Sequence, residues 1–273
     1  MTGGFEFKGR TAVITGAGSG IGAALAEALA ARGAHLALAD VNRAGLASTA
    51  QRLAGAGVRV TTDVLDVTDP GAPEPFAEKV RADHGGAHLV CNNAGIAVGG
   101  TFDRVAPFDF DKVMAVNFQG VVRMSRAFLP LLKAAEPEAR LVNISSIFGI
   151  IAPSGQTAYC ASKFAVRGFS MALAHELEGG SVGVSVVHPG GVATRIAEDA
   201  IKPADASNEE INENLEKARE ALVMPPEQAA AIILRGVERR KRRILVGRDA
   251  HMAMWMERIL PTRYFALMRN RLN

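Results

Sequence analysis

The sequence predicts a three-layer α/β fold, in which a doubly wound, mostly parallel seven-stranded sheet carries helices on both faces. Three observations predict it. Short β-rich runs alternate with helical patterns along the chain, the order that a parallel sheet with crossover helices requires. Runs such as Ala12-Val13-Ile14 and Leu36-Ala37-Leu38 are continuously apolar, as strands covered on both faces must be. The unusual glycine and polar motifs all fall just after strand candidates, on the rim where open α/β sheets bind ligands.

Taken in order, a strand at 11–15 runs into the glycine turn Thr15-Gly16-Ala17-Gly18-Ser19-Gly20-Ile21-Gly22 and a helix at 21–32. A strand at 35–40 ends on Asp40 before a helix at 43–56, and a strand at 58–65 is followed by Asp66-Val67 and a helix at 73–84. The fourth strand, 88–92, leads into Asn92-Asn93-Ala94-Gly95 and a long helix at 109–133. The fifth, 140–145, closes on Ser145-Ser146 before a helix at 158–178. The sixth, 182–188, is followed by Pro189-Gly190-Gly191-Val192-Ala193-Thr194, and a helix at 227–239 leads to a last strand at 243–246. No repeat or Pro/Gly-rich linker divides the chain, so residues 1–273 read as one domain. The polar stretch 195–226 interrupts the alternation and reads as a lid over a pocket or a surface excursion. Residues 248–273 read as a C-terminal extension.

Bulk composition narrows the setting. A chain that is 48% hydrophobic, 22% charged and 5% aromatic is that of an ordinary globular protein. Two cysteines, Cys91 and Cys160, make no disulfide framework and point to a reducing compartment. The first ten residues lack a signal-peptide core, and no apolar run has membrane-spanning length; the expectation is a cytoplasmic protein. The net charge of +3 conceals eleven Lys/Arg against three Asp/Glu from Arg235 onward. The run Arg239-Arg240-Lys241-Arg242-Arg243 reads as a solvated helix end whose cations oppose the helix dipole. Nucleic acid is not an expected partner, because no recognition motif accompanies the run; weak peripheral contact with an anionic membrane is the competing reading. In the extension, Met252, Trp255, Met256, Ile259 and Leu260 fall at helical spacing, before Tyr264, Phe265, Leu267, Met268 and Leu272 with Arg263, Arg269 and Arg271 interleaved. This stripe is expected to pack on the core, the pocket or a second subunit, with a membrane surface as the alternative.

Chemistry gathers on the sheet rim. Glycines in the first turn let backbone approach a pyrophosphate at a helix N-terminus, where free N–H groups favour anions. Asp40, after the second strand, is placed to accept hydrogen bonds from ribose hydroxyls and would repel a 2′-phosphate, so NAD is expected over NADP. An Asp capping the next helix is the bland alternative. Tyr159 and Lys163 lie one helical turn apart, so phenol and ammonium share a face. Bringing a phenol from a pKa near ~10 to about 7 takes roughly 4 kcal/mol. One cation about 5 Å away, at an effective dielectric near 20, supplies roughly 3 kcal/mol; with a positive nicotinamide ring beside it the phenol becomes a usable base. The six histidines form no metal-ligand pattern, and His188 reads as structural. The uncharged stretches 96–99 and 147–152 suit a hydrophobic alcohol or ketone of steroid, retinoid or lipid type.

Thr15 through Gly22, Asn92 through Gly95, Asn117, Ser146, Tyr159, Lys163 and Pro189-Gly190 together resemble the short-chain dehydrogenase/reductase family, over most of the chain up to about residue 195. The resemblance implies a single Rossmann-type domain, a nicotinamide cofactor and redox chemistry at an alcohol or carbonyl carbon. It implies that Tyr159 is the general acid/base, Ser146 binds the substrate oxygen, Lys163 binds the nicotinamide ribose and lowers the tyrosine pKa, and Asn117 holds a relay water. Gly16, Ser19, Gly20, Ile21, Gly22, Asp66, Val67, Asn93, Ala94, Gly95, Pro189, Gly190, Val192 and Thr194 are then expected around the cofactor, with Val98 and Phe148 beside the substrate. It also implies a homodimer or homotetramer built on helices 109–133 and 158–178, and a packing role for Cys160. Two alternatives stand beside this reading: a dinucleotide-sensing binding protein without turnover, and an NADP-dependent carbonyl or ketoacyl reductase.

Overall fold

All five side chains of Thr11–Thr15 (β1) are buried, because this strand lies at the centre of a parallel sheet with helices on both faces. The computed structural model describes residues 4–265. After β1 come α1 (Gly20–Ala30), β2 (His35–Asp40), α2 (Arg43–Arg52), β3 (Val60–Val64), α3 (Pro73–His84), β4 (Leu89–Asn92), α4 (Pro107–Met114) and α5 (Gly120–Ala134). Then follow β5 (Ala139–Ile144), α6 (Thr157–Glu176), β6 (Val182–Pro189), α7 (Asn208–Ala221), α8 (Pro226–Glu238), β7 (Arg243–Val246) and α9 (Arg248–Ile259). The strands pair in parallel in the order β3-β2-β1-β4-β5-β6-β7. This is a Rossmann-type sheet, with its topological switch between β1 and β4.

Register decides what shares the rim. Thr15 pairs with Ala39, Ile14 with Cys91, Asn92 with Asn143 and Ile144 with Val187. The loops that leave these strand ends therefore converge at one edge. Alternation along β1 sends Ala12 and Ile14 to a core shared with Leu25, Leu29 and Leu234, and Val13 to a core shared with Phe76, Met124 and Phe128. That is the period of two that a pleated strand imposes. Phe128 is fully buried and meets Phe76 edge-on at 5.6 Å; its truncation to Ala should cost about 3–5 kcal/mol.

Three expectations of element bounds are corrected, and one stretch gains a helix. The helix expected at 109–133 is α4 and α5 joined by a π-helical turn, Ala115–Gln119, so one extra residue re-aims Asn117 into the interior. β3 covers Val60–Val64, shorter than 58–65. α2 stops at Arg52, because Gly55 and Gly57 adopt φ of 86° and 70° and end the helical path. The stretch 195–226 contains a full helix, α7, with none of its residues buried. Its Ser207 side chain accepts the Glu210 N–H, which satisfies one of the free donors at the helix start.

The extension is helical as α9, and Ala253 and Met254 of this helix, with Tyr264 beyond it, pack against Ile150 and Ile151. Ala250 and Ala253 are buried, whereas Met252, Trp255 and Ile259 are 49%, 54% and 67% exposed. Leu267, Met268, Arg269, Arg271 and Leu272 lie outside the described residues. Among the described residues, no helix is long and apolar enough to cross a membrane. In the basic run, Arg240 pairs with Glu138 at 2.5 Å and Arg242 pairs with Glu178, so two of the five cations are fixed by partners outside the run.

Candidate active site

The glycine turn closes on itself and on the neighbouring strand end. A Cβ on Gly22 would sit 1.9 Å from the Gly16 carbonyl oxygen. Gly16 has φ of 65°, and a Cβ there would lie 2.9 Å from Ala94 Cα. The Asn93 side chain donates to the carbonyls of Thr15 and Gly16 at 3.0 and 3.1 Å, and Thr15 Oγ1 accepts the N–H groups of Asn93 and Ala94. Asn93 is thus a strut under the turn, with its amide donors already engaged. The turn delivers Ser19, Gly20 and Ile21 to the start of α1, which has no side-chain cap and no acidic residue in its first turn. Such a helix end favours an anion.

Asp40 braces this turn from the tip of β2. Its Oδ2 accepts the Gly18 N–H at 2.8 Å and its Oδ1 the Asn42 N–H at 2.8 Å. The cap of α2 is Asn42, which accepts from Gly45, so the reading of Asp40 as that helix cap is set aside. Asp66 is exposed and bonds the backbone N–H and hydroxyl of Thr68 at 2.8 and 2.7 Å, while Val67 is buried. On the far side, Thr194 Cγ2 lies 3.0 Å from where a Cβ on Gly20 would be, so the 189–194 loop abuts the glycine turn. A close backbone cradle, an uncapped helix start and a carboxylate at the next strand tip fit a dinucleotide.

Ser146, Tyr159, Lys163 and Asn117 meet next to this cradle. Of the two serines, Ser145 donates to the Lys163 carbonyl at 2.8 Å, leaving Ser146 to hydrogen-bond the Tyr159 hydroxyl. Ser146 Oγ also accepts the Phe148 N–H at 3.1 Å, and the Phe148 ring packs edge-on against Tyr159 at 6.2 Å. Lys163 Nζ donates to the Ile144 carbonyl at 3.2 Å and lies 5.5 Å from the Tyr159 ring centroid. Gly95 borders both the lysine and Asn117, since a Cβ on it would be 3.3 Å from Nζ and 3.2 Å from Asn117 Oδ1.

Burial sets the electrostatics of the Tyr159–Lys163 pair. Burial pushes the Tyr159 phenol up to about 12, more than the Ser146 hydrogen bond pulls it down. Burial pushes the Lys163 ammonium down to about 8. Both follow from one cause, the cost of a charge in a dry site. The protein's own ammonium therefore does not by itself bring the phenol toward neutrality. Asn117 is fully buried among its partners. Its Oδ1 accepts the Ile96 N–H at 2.9 Å, and its Nδ2 donates to the Ile96 carbonyl and Ser162 at 2.9 and 3.0 Å. These contacts tie the 95–96 backbone and Ser162 to the turn that carries Asn117.

Among the apolar candidates, Phe148 reaches the cluster but Val98 does not. Val98 is 2% exposed, packs with Val105, Val113 and Ala158, and bridges to Ile201. Burial raises Cys160 to about 11 and Cys91 to about 12, so both are thiols at neutral pH, consistent with packing. His188 is fully buried; its Nδ1 shares a hydrogen bond with the Ser146 carbonyl at 2.9 Å, and burial lowers its pKa to about 4.

Arg104 and Asp249 escape the sequence reading, and Tyr264 enters it only as part of the apolar stripe. Arg104 clamps the start of α7, reaching Asp205 at 3.0 Å and Glu210 at 2.7 Å. The Ser207-to-Glu210 capping spacing signalled the helix that carries Glu210. Asp249 accepts the Gly191 N–H at 2.6 Å, and the Tyr264 hydroxyl accepts the Ala152 N–H at 3.2 Å. No local spacing announces either contact.

The sequence matches the family described as short chain dehydrogenase over residues 10–205. It is 43% identical over 261 residues to a Mycobacterium tuberculosis protein named as the oxidoreductase SadH, covering 95% of this chain and 94% of that one. Two solved structures are similar. A Burkholderia phymatum short-chain dehydrogenase/reductase in complex with NAD has a TM-score of 0.85 and 31% identity, over 97% of this chain and 96% of that one. A metagenomic short-chain oxidoreductase in complex with NADP has a TM-score of 0.71 and 29% identity, over 88% and 97%.

Proposed function

The chain belongs to the short-chain dehydrogenase/reductase family, and from that premise we propose that it is an NAD(H)-dependent oxidoreductase interconverting a hydrophobic secondary alcohol and its ketone. One observation carries the reading: the Tyr159 hydroxyl is bonded to Ser146 with Lys163 Nζ 5.5 Å from its ring, and Lys163 borders Gly95, next to the Ala94 against which the glycine turn packs.

When bound, the nicotinamide cofactor supplies the site that takes or gives the hydride. Gly16, Gly18, Ser19, Gly20, Ile21 and Gly22 would hold its pyrophosphate at the α1 start, and Asp40 its adenosine ribose. Val67, Ala94, Gly95, Gly190, Val192 and Thr194 would border it, with Lys163 at the second ribose. Asp40 supports NAD over NADP: no cation follows it, Val41 being the next residue, and a 2′-phosphate would meet its carboxylate. Tighter binding of NADPH than of NADH would refute this preference.

Ser146 donates to the substrate oxygen and fixes it against the phenol. Tyr159 takes the hydroxyl proton in oxidation and returns it in reduction. Lys163 keeps its charge at neutral pH and stabilises a developing phenolate. Ile96, Ile147 and Phe148 give the opening apolar walls, which suit a steroid-, retinoid- or lipid-like substrate. Tyr159→Phe should keep NADH binding within about threefold and lose at least ~1000-fold in kcat. The assay is NADH absorbance over a panel of hydrophobic alcohols and ketones; substantial turnover in the variant would refute Tyr159 as acid/base.

Two surfaces bear on partners. Phe164 and Met171, 38% and 43% exposed, lie seven residues apart on one face of α6. We place the contact of a homodimer or homotetramer there; a chain eluting as a monomer at micromolar concentration refutes it. The outward Met252, Trp255 and Ile259 beside Arg248 and Arg258 fit weak peripheral contact with anionic lipid. Trp255 fluorescence unchanged by anionic vesicles refutes that contact, and fractionation of cells tests the proposed cytoplasmic location.

A further inference from the structure

We propose that Asp249, on the first turn of α9, is a positioning residue for the cofactor, acting through the 189–194 loop. This rests on the dinucleotide reading of the site and assigns a role that the family motifs do not contain. The carboxylate crosses from the C-terminal extension to the loop. Its Oδ2 accepts the Gly191 N–H at 2.6 Å, while its Oδ1 accepts the Ala250 N–H at 2.9 Å. The surrounding backbone leaves room for it: a Cβ on Gly190 would lie 2.0 Å from Oδ2, and one on Gly247, where φ is 100°, 2.3 Å from Oδ1. Two glycines on two separate strand ends are thus shaped around one carboxylate.

The loop that Asp249 holds is otherwise hung from the end of β7 and the turn after α7. Gly190 donates to Val246, Ala193 to Met224, and the Gly191 carbonyl accepts from Val223 and Met224. Gly191 itself is wedged against the end of α7, where a Cβ would fall 1.9 Å from the Ala221 carbonyl oxygen. A charged acceptor binds an N–H more strongly than a neutral one, so the carboxylate fixes the height of Gly191 and, through Val192, the approach of Thr194 to Gly20. The extension is held on its other side by the Tyr264 hydroxyl on Ala152 and by Ala253 against Ile150 and Ile151. Asp249 therefore acts from an anchored support.

The experiment measures NADH binding by its fluorescence in the full chain, together with thermal melting and kinetics. Asp249→Ala should raise the NADH dissociation constant about tenfold while kcat at saturating cofactor stays within about threefold. Asp249→Asn keeps an acceptor oxygen and should recover most of the loss. The Tyr159→Phe background should show the same shift, because the effect precedes chemistry. If Asp249→Ala does not fold, Gly190→Ala displaces the carboxylate from the loop side and should give the same rise. An NADH affinity unchanged in both Asp249→Ala and Gly190→Ala overturns this inference and leaves the dinucleotide reading intact. A wild-type chain that binds no NAD(H) overturns that reading, and this role with it.

Discussion

Replacing Lys163 with Met tests how the buried pair divides its work. The phenol of Tyr159 is held at about 12, so operating as a base near pH 7 requires about five pK units, or about 7 kcal/mol, of added stabilisation for the phenolate. A charge 5.5 Å from the ring centroid, at an effective dielectric near 20, contributes about 3 kcal/mol, or roughly two pK units. Lys163 alone therefore provides less than half, and its burial, which lowers it to about 8, confines that help to pH values where it is still protonated. Lys163→Met keeps the apolar stem and removes the charge. In alcohol oxidation followed by NADH absorbance, the apparent pKa of the ascending limb of kcat/KM should move up by about two units, and the rate at pH 7 should fall about 100-fold. NADH affinity measured alongside separates this from loss of a ribose contact. A rate depressed by the same factor at every pH, with the limb unmoved, would refute the electrostatic role and leave Lys163 as a binding group only.

Two other perturbations follow from the geometry. Arg104→Ala removes the clamp on Asp205 and Glu210 and should raise substrate KM about three- to tenfold with kcat within about twofold. High salt should reproduce part of the effect in the wild type, and an unchanged KM would show that α7 does not gate the pocket. His188 is neutral in the fold and lowered to about 4, so the unfolded chain binds more protons between about 6.5 and 4. Its stabilisation is complete above 6.5, is lost as pH falls through that window, and amounts to about 3 kcal/mol. Urea midpoints for His188→Asn should show a flatter decline between pH 6.5 and 4, and an identical decline would assign the acid sensitivity elsewhere.

The sheet was legible because its strands are apolar runs closed by glycine or polar residues, a pattern that burial on both faces enforces. Catalytic candidates were legible for a related reason: Tyr159 and Lys163 lie on one helix, where spacing converts directly into shared direction. What was not legible depends on long-range packing. The π-turn at Ala115–Gln119 inserts one residue without any change in composition, yet it decides where Asn117 points. Val98 carries the same apolar signal whether it lines a pocket or, as here, joins a side cluster. α7 buries nothing; Ile211, Leu215, Ala218 and Leu222 have helical spacing, but the acidic residues between them made the segment read as a polar interruption. The Asp249–Gly191 contact joins residues 58 apart, a separation that no local pattern encodes.

Burial moves the phenol and the ammonium in opposite directions, and this determines the resting state of the site. With Tyr159 held at about 12 and Lys163 at about 8, both carry their protons at pH 7. The protonated phenol then stands beside the Ser146 hydroxyl, an arrangement suited to receiving a carbonyl oxygen and protonating it. The oxidative direction must first remove a proton from a phenol in a dry setting, and the protein's own charges fall short of that by more than half. On the proposed chemistry, the reductive rate should therefore vary little between pH 6 and 7.5, while the oxidative rate climbs with pH. Lys163 loses its charge above about 8, so that climb should slacken there.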